Sequence, residues 1–212
     1  MHAADLGRFL DELAAGDRTQ VERMTLAAAG VSEMLRKRGM EVTLVGGGAI
    51  QFHAPGTYTT SDLDLVVEGR SREELGAAML ESGFTRSGRH WVRGDLYIEV
   101  PGSVMSDPVE IVTAGGMTLR VVRKEVVLAD RIVGYKHWRA TGYGAQAVAL
   151  LSAMEGVLDE SMLRERLRLE GAEDALELLW SLAKRGEPIG ETDLRDGLDR
   201  LHRNPPLPGG EG

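Results

Sequence analysis

The stretch VTLVGGGAIQFHAPGTYTTSDLDLVV, Val42 to Val67, decides the fold of this chain. It begins with an apolar run, Val42 to Val45, that leads directly into three consecutive glycines, Gly46 to Gly48. A short apolar segment, a Pro-Gly turn and a second apolar run that contains two acids follow. This order predicts a strand, a glycine turn, a short helix, a loop and a second strand.

The glycine turn is suited to phosphate. Gly46 and Gly47 have no side chains, so the backbone can approach a ligand closely at this point. The helix that follows offers free backbone N–H groups at its N-terminus, and such groups favour an anion.

The two acids of the second strand, Asp62 and Asp64, are candidate metal ligands. They lie two residues apart on a strand, so their side chains point to one face with Cα atoms roughly 7 Å apart. Two carboxylates on one face repel each other unless a cation lies between them, and hard divalent cations prefer oxygen ligands. A phosphate site beside a metal-binding acid pair is what chemistry on a nucleoside triphosphate requires.

The spacing of these features carries a resemblance to a known family. Gly46-Gly47, fourteen further residues and then Asp62-Leu63-Asp64 resemble the signature of the nucleotidyltransferase superfamily, which has a DNA polymerase β-like fold. Thr60, two residues before Asp62, also matches that signature. Within the superfamily, the chain is most similar to the minimal bacterial group that includes toxin-type nucleotidyltransferases of abortive-infection systems.

The chain departs from that group at two places. Relatives often have Arg four residues before the first Asp, where this chain has Tyr58. Toxin-type relatives carry Arg-Asp-x-x-Asp after a later helix, where this chain reads Gly-Tyr-Gly-Ala-Gln at 142–146. The first departure means that a phosphate or substrate contact is either missing or supplied elsewhere. The second weakens the case that this chain shares the specific substrate of the toxin-type relatives.

The resemblance implies a third carboxylate on a later strand. Glu99 in LYIEV matches by position, as a general base that also helps to hold Mg²⁺ or Mn²⁺ with Asp62 and Asp64. Glu110 in VEIV is the alternative, and Glu99 can equally be a strand acid that faces solvent.

The remaining site residues also follow from the resemblance. Gly46 and Gly47 lie against the phosphates, and the hydroxyls of Thr60 and Ser61 orient the acids or contact phosphate. Lys136 resembles the lysine that relatives direct at the triphosphate, although it also fits an ordinary surface lysine. His53, His90 and His137 lack metal-ligand spacing with one another, so they are interpreted as packed or surface imidazoles.

Composition bounds the class of protein. With 42% hydrophobic and 27% charged residues, no cysteine, no apolar run near 18 residues and no signal peptide, the sequence predicts a cytoplasmic protein without a membrane partner. The net charge of −8 disfavours a broad nucleic-acid surface.

We predict an α/β fold with a nucleotidyltransferase-like mixed sheet of about four to six strands and flanking helices. The predicted regions are a catalytic core with N-terminal helices at 1–123, a C-terminal helical region at 124–203 and a disordered tail at 204–212. Asp17 is the predicted cap of the second helix, the pattern Ser-x-x-Glu at 71–74 predicts a capping box, and Gly142 and Gly144 are predicted to interrupt the helical region. Besides the two strands of the central stretch, short strand-like runs are predicted at 84–86, 90–93, 96–100, 110–112 and 117–122.

The predicted reaction, as the resemblance implies, transfers a nucleoside monophosphate from a nucleoside triphosphate to an acceptor hydroxyl. The acceptor is RNA, a protein or a small molecule, and a toxin–antitoxin or defence setting with a protein partner fits the group. Two alternatives stay open: a catalytically inactive nucleotide- or partner-binding module on the same fold, and an interaction domain without a nucleotide site.

Overall fold

The computed structural model describes residues 1–203, so the predicted tail at 204–212 lies outside the described residues. The described chain forms two compact units that meet in sequence between Arg123 and Lys124. The first unit contains α1 (Ala3–Ala15), α2 (Gln20–Arg36), β1 (Glu41–Val45), α3 (Gly46–His53), β2 (Asp62–Glu68), α4 (Arg72–Glu81), β3 (Thr85–Ser87), β4 (His90–Arg93), β5 (Leu96–Glu99), β6 (Val109–Ala114) and β7 (Met117–Val122). The second unit contains α5 (Lys124–His137), α6 (Thr141–Ala153), α7 (Glu160–Leu169), α8 (Glu173–Ala183) and α9 (Glu191–Arg203).

One mixed sheet organises the first unit, in the strand order β3-β4-β5-β2-β1-β7-β6. The β1–β7 and β2–β5 pairs are parallel, and the other neighbouring pairs are antiparallel. The predicted α/β class with a mixed sheet, flanking helices and a helical C-terminal region is therefore confirmed. The sheet is larger than predicted, because all seven strand-like runs join it.

The two faces of the sheet differ sharply around β2. Leu63 and Leu65 are fully buried, and the neighbouring strands contribute Ile98 and Trp91 to the same buried row as Leu63. Because side chains alternate along a strand, burial of these residues turns Asp62 and Asp64 to the opposite face. A slip of one residue in register would bury the acids and expose the leucines.

The second helix has a different cap from the predicted one. α2 begins after Thr19, whose hydroxyl accepts the N–H of Glu22 while the Glu22 carboxylate accepts the N–H of Thr19. Asp17 lies before this reciprocal pair and was therefore wrongly predicted as the cap. The capping box predicted at Ser71 and Glu74 for α4 is present.

Glycines do not interrupt the second unit where the sequence predicted. Gly142 and Gly144 lie inside α6, and the break falls at 138–140, where Arg139 has a φ of 52°. Gly144 is needed for packing, since a Cβ there would lie 2.5 Å from a ring carbon of Tyr135. The Tyr135 hydroxyl donates to the carbonyl of Leu194 at 2.6 Å, and burial raises the pKa of Tyr135 to about 12.

None of the helices within residues 1–203 combines the length and the apolar character that crossing a membrane requires.

Mutation of the two candidate caps of α2 should have different effects on stability. Thr19→Ala removes the acceptor for the Glu22 N–H and should lower the free energy of unfolding by about 1 kcal/mol. Asp17→Ala should stay within about 0.5 kcal/mol of the unmodified chain, as surface substitutions usually do. Urea unfolding of the full chain measures both, and an equal loss in the two variants would contradict the Thr19 assignment.

Candidate active site

Strand pairing brings four polar side chains to one face of the sheet. Asp64 pairs with Glu99 across the parallel β2–β5 ladder, and Glu99 pairs with His90 across the antiparallel β4–β5 ladder. Residues directly opposite on neighbouring strands share a face, and Asp62 shares it because it lies two positions from Asp64. The face thus carries three carboxylates and one imidazole.

Three of these side chains form a group with the composition of a metal site. One ligand atom each from Asp62, His90 and Glu99 lies within 4.8 Å of the other two. His90 Nε2 is 3.7 Å from Asp62 Oδ2 and 3.8 Å from Glu99 Oε2. All three side chains are 20–26% exposed, so a cation can reach them from solvent. Two carboxylates and an imidazole fit a divalent metal ion.

Asp64 is oriented by the glycine turn. Its Oδ2 accepts the backbone N–H of Gly47 at 3.2 Å, so this N–H of the turn bonds a carboxylate. Gly46 has a φ of 57°, and a Cβ there would lie 2.1 Å from the same Oδ2. A side chain at 46 is therefore excluded by both backbone conformation and space. Asp64 stands beside the Asp62, His90 and Glu99 group and is not a member of it.

The loop before β2 holds Asp62 in place. The buried Thr60 hydroxyl donates to Asp62 Oδ1 at 2.6 Å, and its role in orienting the acids stays a prediction. The Thr60 carbonyl accepts from the Gln20 side chain at 2.8 Å, which ties the loop to α2. Ser61 is exposed and lines a cavity of about 150 Å³ between α1, α2 and the β4–β5 turn. Tyr58 places its ring against the glycine turn, 3.0 Å from where a Gly47 Cβ would lie.

A guanidinium balances part of the negative charge. Arg89 Nε lies 3.2 Å from Glu99 Oε2 and 3.4 Å from His90 Nε2. The Arg89 side chain is 70% exposed, so this ion pair is open to water and to displacement by another cation.

The other predicted residues lie in different surroundings. Glu110 is on β6, three strands from β2, where its carboxylate lies 3.5 Å from His53 Nδ1, so the geometry favours Glu99 as the third acid. Lys136 lies in the second unit, where its ammonium donates at 2.6 Å to both Asp174 and the carbonyl of Gly171. Its role toward phosphate stays a prediction.

The sequence interpretation of His90 as an ordinary packed or surface imidazole missed its place among the acids. A signal was present, because the predicted strands at 90–93 and 96–100 flank the two-residue turn Gly94-Asp95. A tight hairpin of that length pairs Arg93 with Leu96 and hence His90 with Glu99. Gln20 had no such signal, since it lies 40 residues from its partner Thr60.

Comparison with known proteins gives few matches. No protein-family profile matches the chain, and no curated protein matches it significantly. An antigenic nucleotidyltransferase-like protein from Paracoccidioides brasiliensis is similar over 86% of this chain and 88% of its own, with 13% identity and a TM-score of 0.46. The antibiotic-resistance factor ANT(2'')-Ia is similar over 78% of this chain and 94% of its own, with 17% identity and a TM-score of 0.43.

Both identities are below 20%, and the activities in these names belong to those two proteins. The similarity concerns the fold. The chemistry that this chain can perform depends on its own side chains.

Arg89 should compete with a bound metal ion. Arg89→Ala removes the cation beside Glu99 and should raise the affinity for Mn²⁺ by up to about five-fold, the scale of an exposed ion pair. Arg86→Ala is the control, because Arg86 belongs to the same hairpin but stacks over Trp91, 5.0 Å from its ring centre. Calorimetric titration with Mn²⁺ measures both, and unchanged affinity in Arg89→Ala would contradict the competition.

Gly46 should tolerate no side chain. Gly46→Ala forces the Asp64 carboxylate to move and should reduce nucleotidyl transfer, the activity that the resemblance implies, by roughly 100-fold. Gly116→Ala is the matched control, since Gly116 also has a positive φ, 75°, but a Cβ there meets nothing within 4 Å. The control should lose some stability and keep its activity. Equal activity in the two variants would show that the Asp64 position does not matter.

Proposed function

We propose that the chain is a metal-dependent nucleotidyltransferase that moves a nucleoside monophosphate from a nucleoside triphosphate to an acceptor hydroxyl. One observation carries the proposal: Asp62, Asp64 and Glu99 share one face of the sheet, directly beside the glycine turn of Gly46 and Gly47. The turn suits phosphate and the acids suit a cation, so their adjacency supports a bound metal–triphosphate complex.

Asp62, Asp64 and Glu99 are the proposed ligands of Mg²⁺ or Mn²⁺. When bound, the metal supplies charge stabilisation for the attacking and leaving oxygens of the transfer. Thr60 holds Asp62 in position through the 2.6 Å hydrogen bond, so this carboxylate needs little reorganisation before it binds.

The glycine turn is the proposed phosphate site. α3 starts at Gly46, and its N-cap residue, Val45, provides no capping side chain. The Gly47 N–H donates to Asp64 Oδ2. We propose that it would donate to a phosphate oxygen instead when Asp64 ligates a cation. Ser61, which is exposed at the end of the loop, is positioned to add a hydroxyl contact.

Glu99 is the proposed general base. Its carboxylate takes the proton of the acceptor hydroxyl as the acceptor oxygen bonds to the α-phosphorus and the bond to pyrophosphate breaks. Arg89 contacts Glu99 at 3.2 Å and is exposed, so it can leave the carboxylate when the substrates bind.

The acceptor is proposed only by class: an RNA end, a protein hydroxyl or a small molecule, because one fold serves many acceptors. The basic residues of the first unit bear on this choice. Arg93 pairs with Asp11, and Arg120 lies 3.5–3.6 Å from Glu41 and Glu68, so their charges are matched by acids. The charges of these two arginines are thus already matched and offer little to a long polyanion. The toxin–antitoxin setting stays a prediction from the resemblance.

The function is tested with nucleoside triphosphates labelled at the α-phosphate, incubated with the chain, Mg²⁺ or Mn²⁺, and fractionated cell extract as the source of acceptor. Asp62→Asn, Asp64→Asn and Glu99→Gln should each lower label transfer by roughly 100-fold or more, and EDTA should abolish it. Glu110→Gln is the control and should transfer at the unmodified rate, because Glu110 lies three strands away.

The outcomes separate the alternatives. Metal-dependent nucleotide binding without transfer in any fraction would support the inactive binding module. Absence of nucleotide binding under any metal would overturn the proposed enzyme, leaving the interaction domain.

A further inference from the structure

We infer that His90 is a metal ligand and that it makes this site select first-row transition cations over Mg²⁺. The inference rests on the proposed metal site and specifies it further: the cation is held by a nitrogen and oxygens instead of by carboxylates alone. It concerns a residue that the sequence motif does not include.

The distances at His90 Nε2 are close to those between two ligands of one metal ion. At 3.7 Å and 3.8 Å from the carboxylate oxygens of Asp62 and Glu99, the nitrogen is too far for a hydrogen bond. Ligands about 2.0–2.2 Å from one ion lie roughly 3.0–3.5 Å from each other. The imidazole nitrogen is therefore within a few tenths of an ångström of that separation from each carboxylate, and the two carboxylates have oxygens within 4.8 Å of each other.

His90 is held in this position by its own strand. The backbone pairs with Glu99 in the β4–β5 ladder, and the neighbouring Trp91 is buried in the row with Ile98. The imidazole meets the ring of Tyr97 edge to face, with ring centres 6.1 Å apart. These contacts limit the ring to the face that carries the acids, so little ordering is needed on binding.

A nitrogen ligand changes which cation binds best. Mg²⁺ requires near-octahedral oxygen ligands and keeps several waters, so an imidazole gives it little. Imidazole suits transition metals, and affinity at nitrogen-containing sites rises from Mn²⁺ through Co²⁺. A site in which His90 joins the proposed carboxylate ligands should therefore bind Co²⁺ with much higher affinity than Mg²⁺, and Mn²⁺ with an affinity between the two.

Arg89 marks the place that the cation takes. Its Nε lies 3.2 Å from Glu99 Oε2 and 3.4 Å from His90 Nε2, so a positive charge already sits against the carboxylate and the imidazole. Because Arg89 is largely exposed, a divalent cation can replace it at small cost.

The test is to titrate the full chain with Co²⁺ alone and with Mg²⁺ alone. Calorimetry measures both affinities, and visible absorption also reports Co²⁺ binding. The unmodified chain should bind Co²⁺ at least about ten-fold more tightly than Mg²⁺. His90→Gln replaces nitrogen by an amide oxygen of similar reach. It should lower Co²⁺ affinity by about ten-fold or more and alter the absorption spectrum, with Mg²⁺ affinity changed less than about three-fold.

Two further variants sharpen the result. His137→Gln is the control for adventitious binding to a surface imidazole, since His137 lies in the second unit against the carbonyl of Glu170. It should leave Co²⁺ binding at the site unchanged. His90→Asp, which offers a carboxylate, should narrow the Co²⁺ preference by raising Mg²⁺ affinity, and circular dichroism confirms that both His90 variants fold.

Equal affinity of the unmodified chain for Co²⁺ and Mg²⁺, no binding of either, or unchanged Co²⁺ affinity and spectrum in His90→Gln would overturn the inference. Nucleotidyl transfer with Mg²⁺ is measured on the same samples. Transfer without a Co²⁺ preference would remove the inference and leave the proposed function, whereas a His90-dependent preference without transfer would remove the function and leave the metal site.

Discussion

Mutual repulsion of carboxylates is the constraint on which the site depends. Like charges 4–5 Å apart repel by about 4 kcal/mol at an effective dielectric constant near 20. Asp62 and Glu99 have oxygens within 4.8 Å of one another, and Asp64 adjoins them in register. The protein offsets this with the guanidinium of Arg89, the N–H of Gly47 and the hydroxyl of Thr60. Each of these contacts offsets less negative charge than a divalent cation would, so the arrangement favours binding of a divalent cation.

The precision of the site comes from the buried side of the same sheet. Leu63, Ile98 and Trp91 form one row across three strands, and their burial sets the register on which the exposed face depends. The acids and His90 therefore need few contacts of their own to be aligned. The glycine turn also constrains the position of Asp64, because its carboxylate occupies the space that a side chain at Gly46 would take.

Features encoded by neighbouring residues could be predicted from the sequence. The shared face of Asp62 and Asp64 follows from their spacing of two, and the capping box at Ser71 and Glu74 follows from a local pattern. The strands that carry His90 and Glu99 were also predicted.

What failed depended on pairing or packing over longer distances. The site role of His90 needs the hairpin register, and the contact between Gln20 and Thr60 joins residues with no pattern in common. Gly144 was predicted to break a helix because glycine has a low helix propensity. Close packing against Tyr135 outweighs that low propensity.

The charge balance also orders the proposed reaction. A nucleoside triphosphate is itself a polyanion, and the chain carries a net charge of −8 with three carboxylates at the site. A bare triphosphate would meet repulsion that one exposed Arg89 cannot cancel. The cation must therefore arrive before the nucleotide or together with it. In the proposed site, His90 would add affinity for the metal ion without adding negative charge. The bound metal ion would then offset the negative charge that this face presents to phosphate.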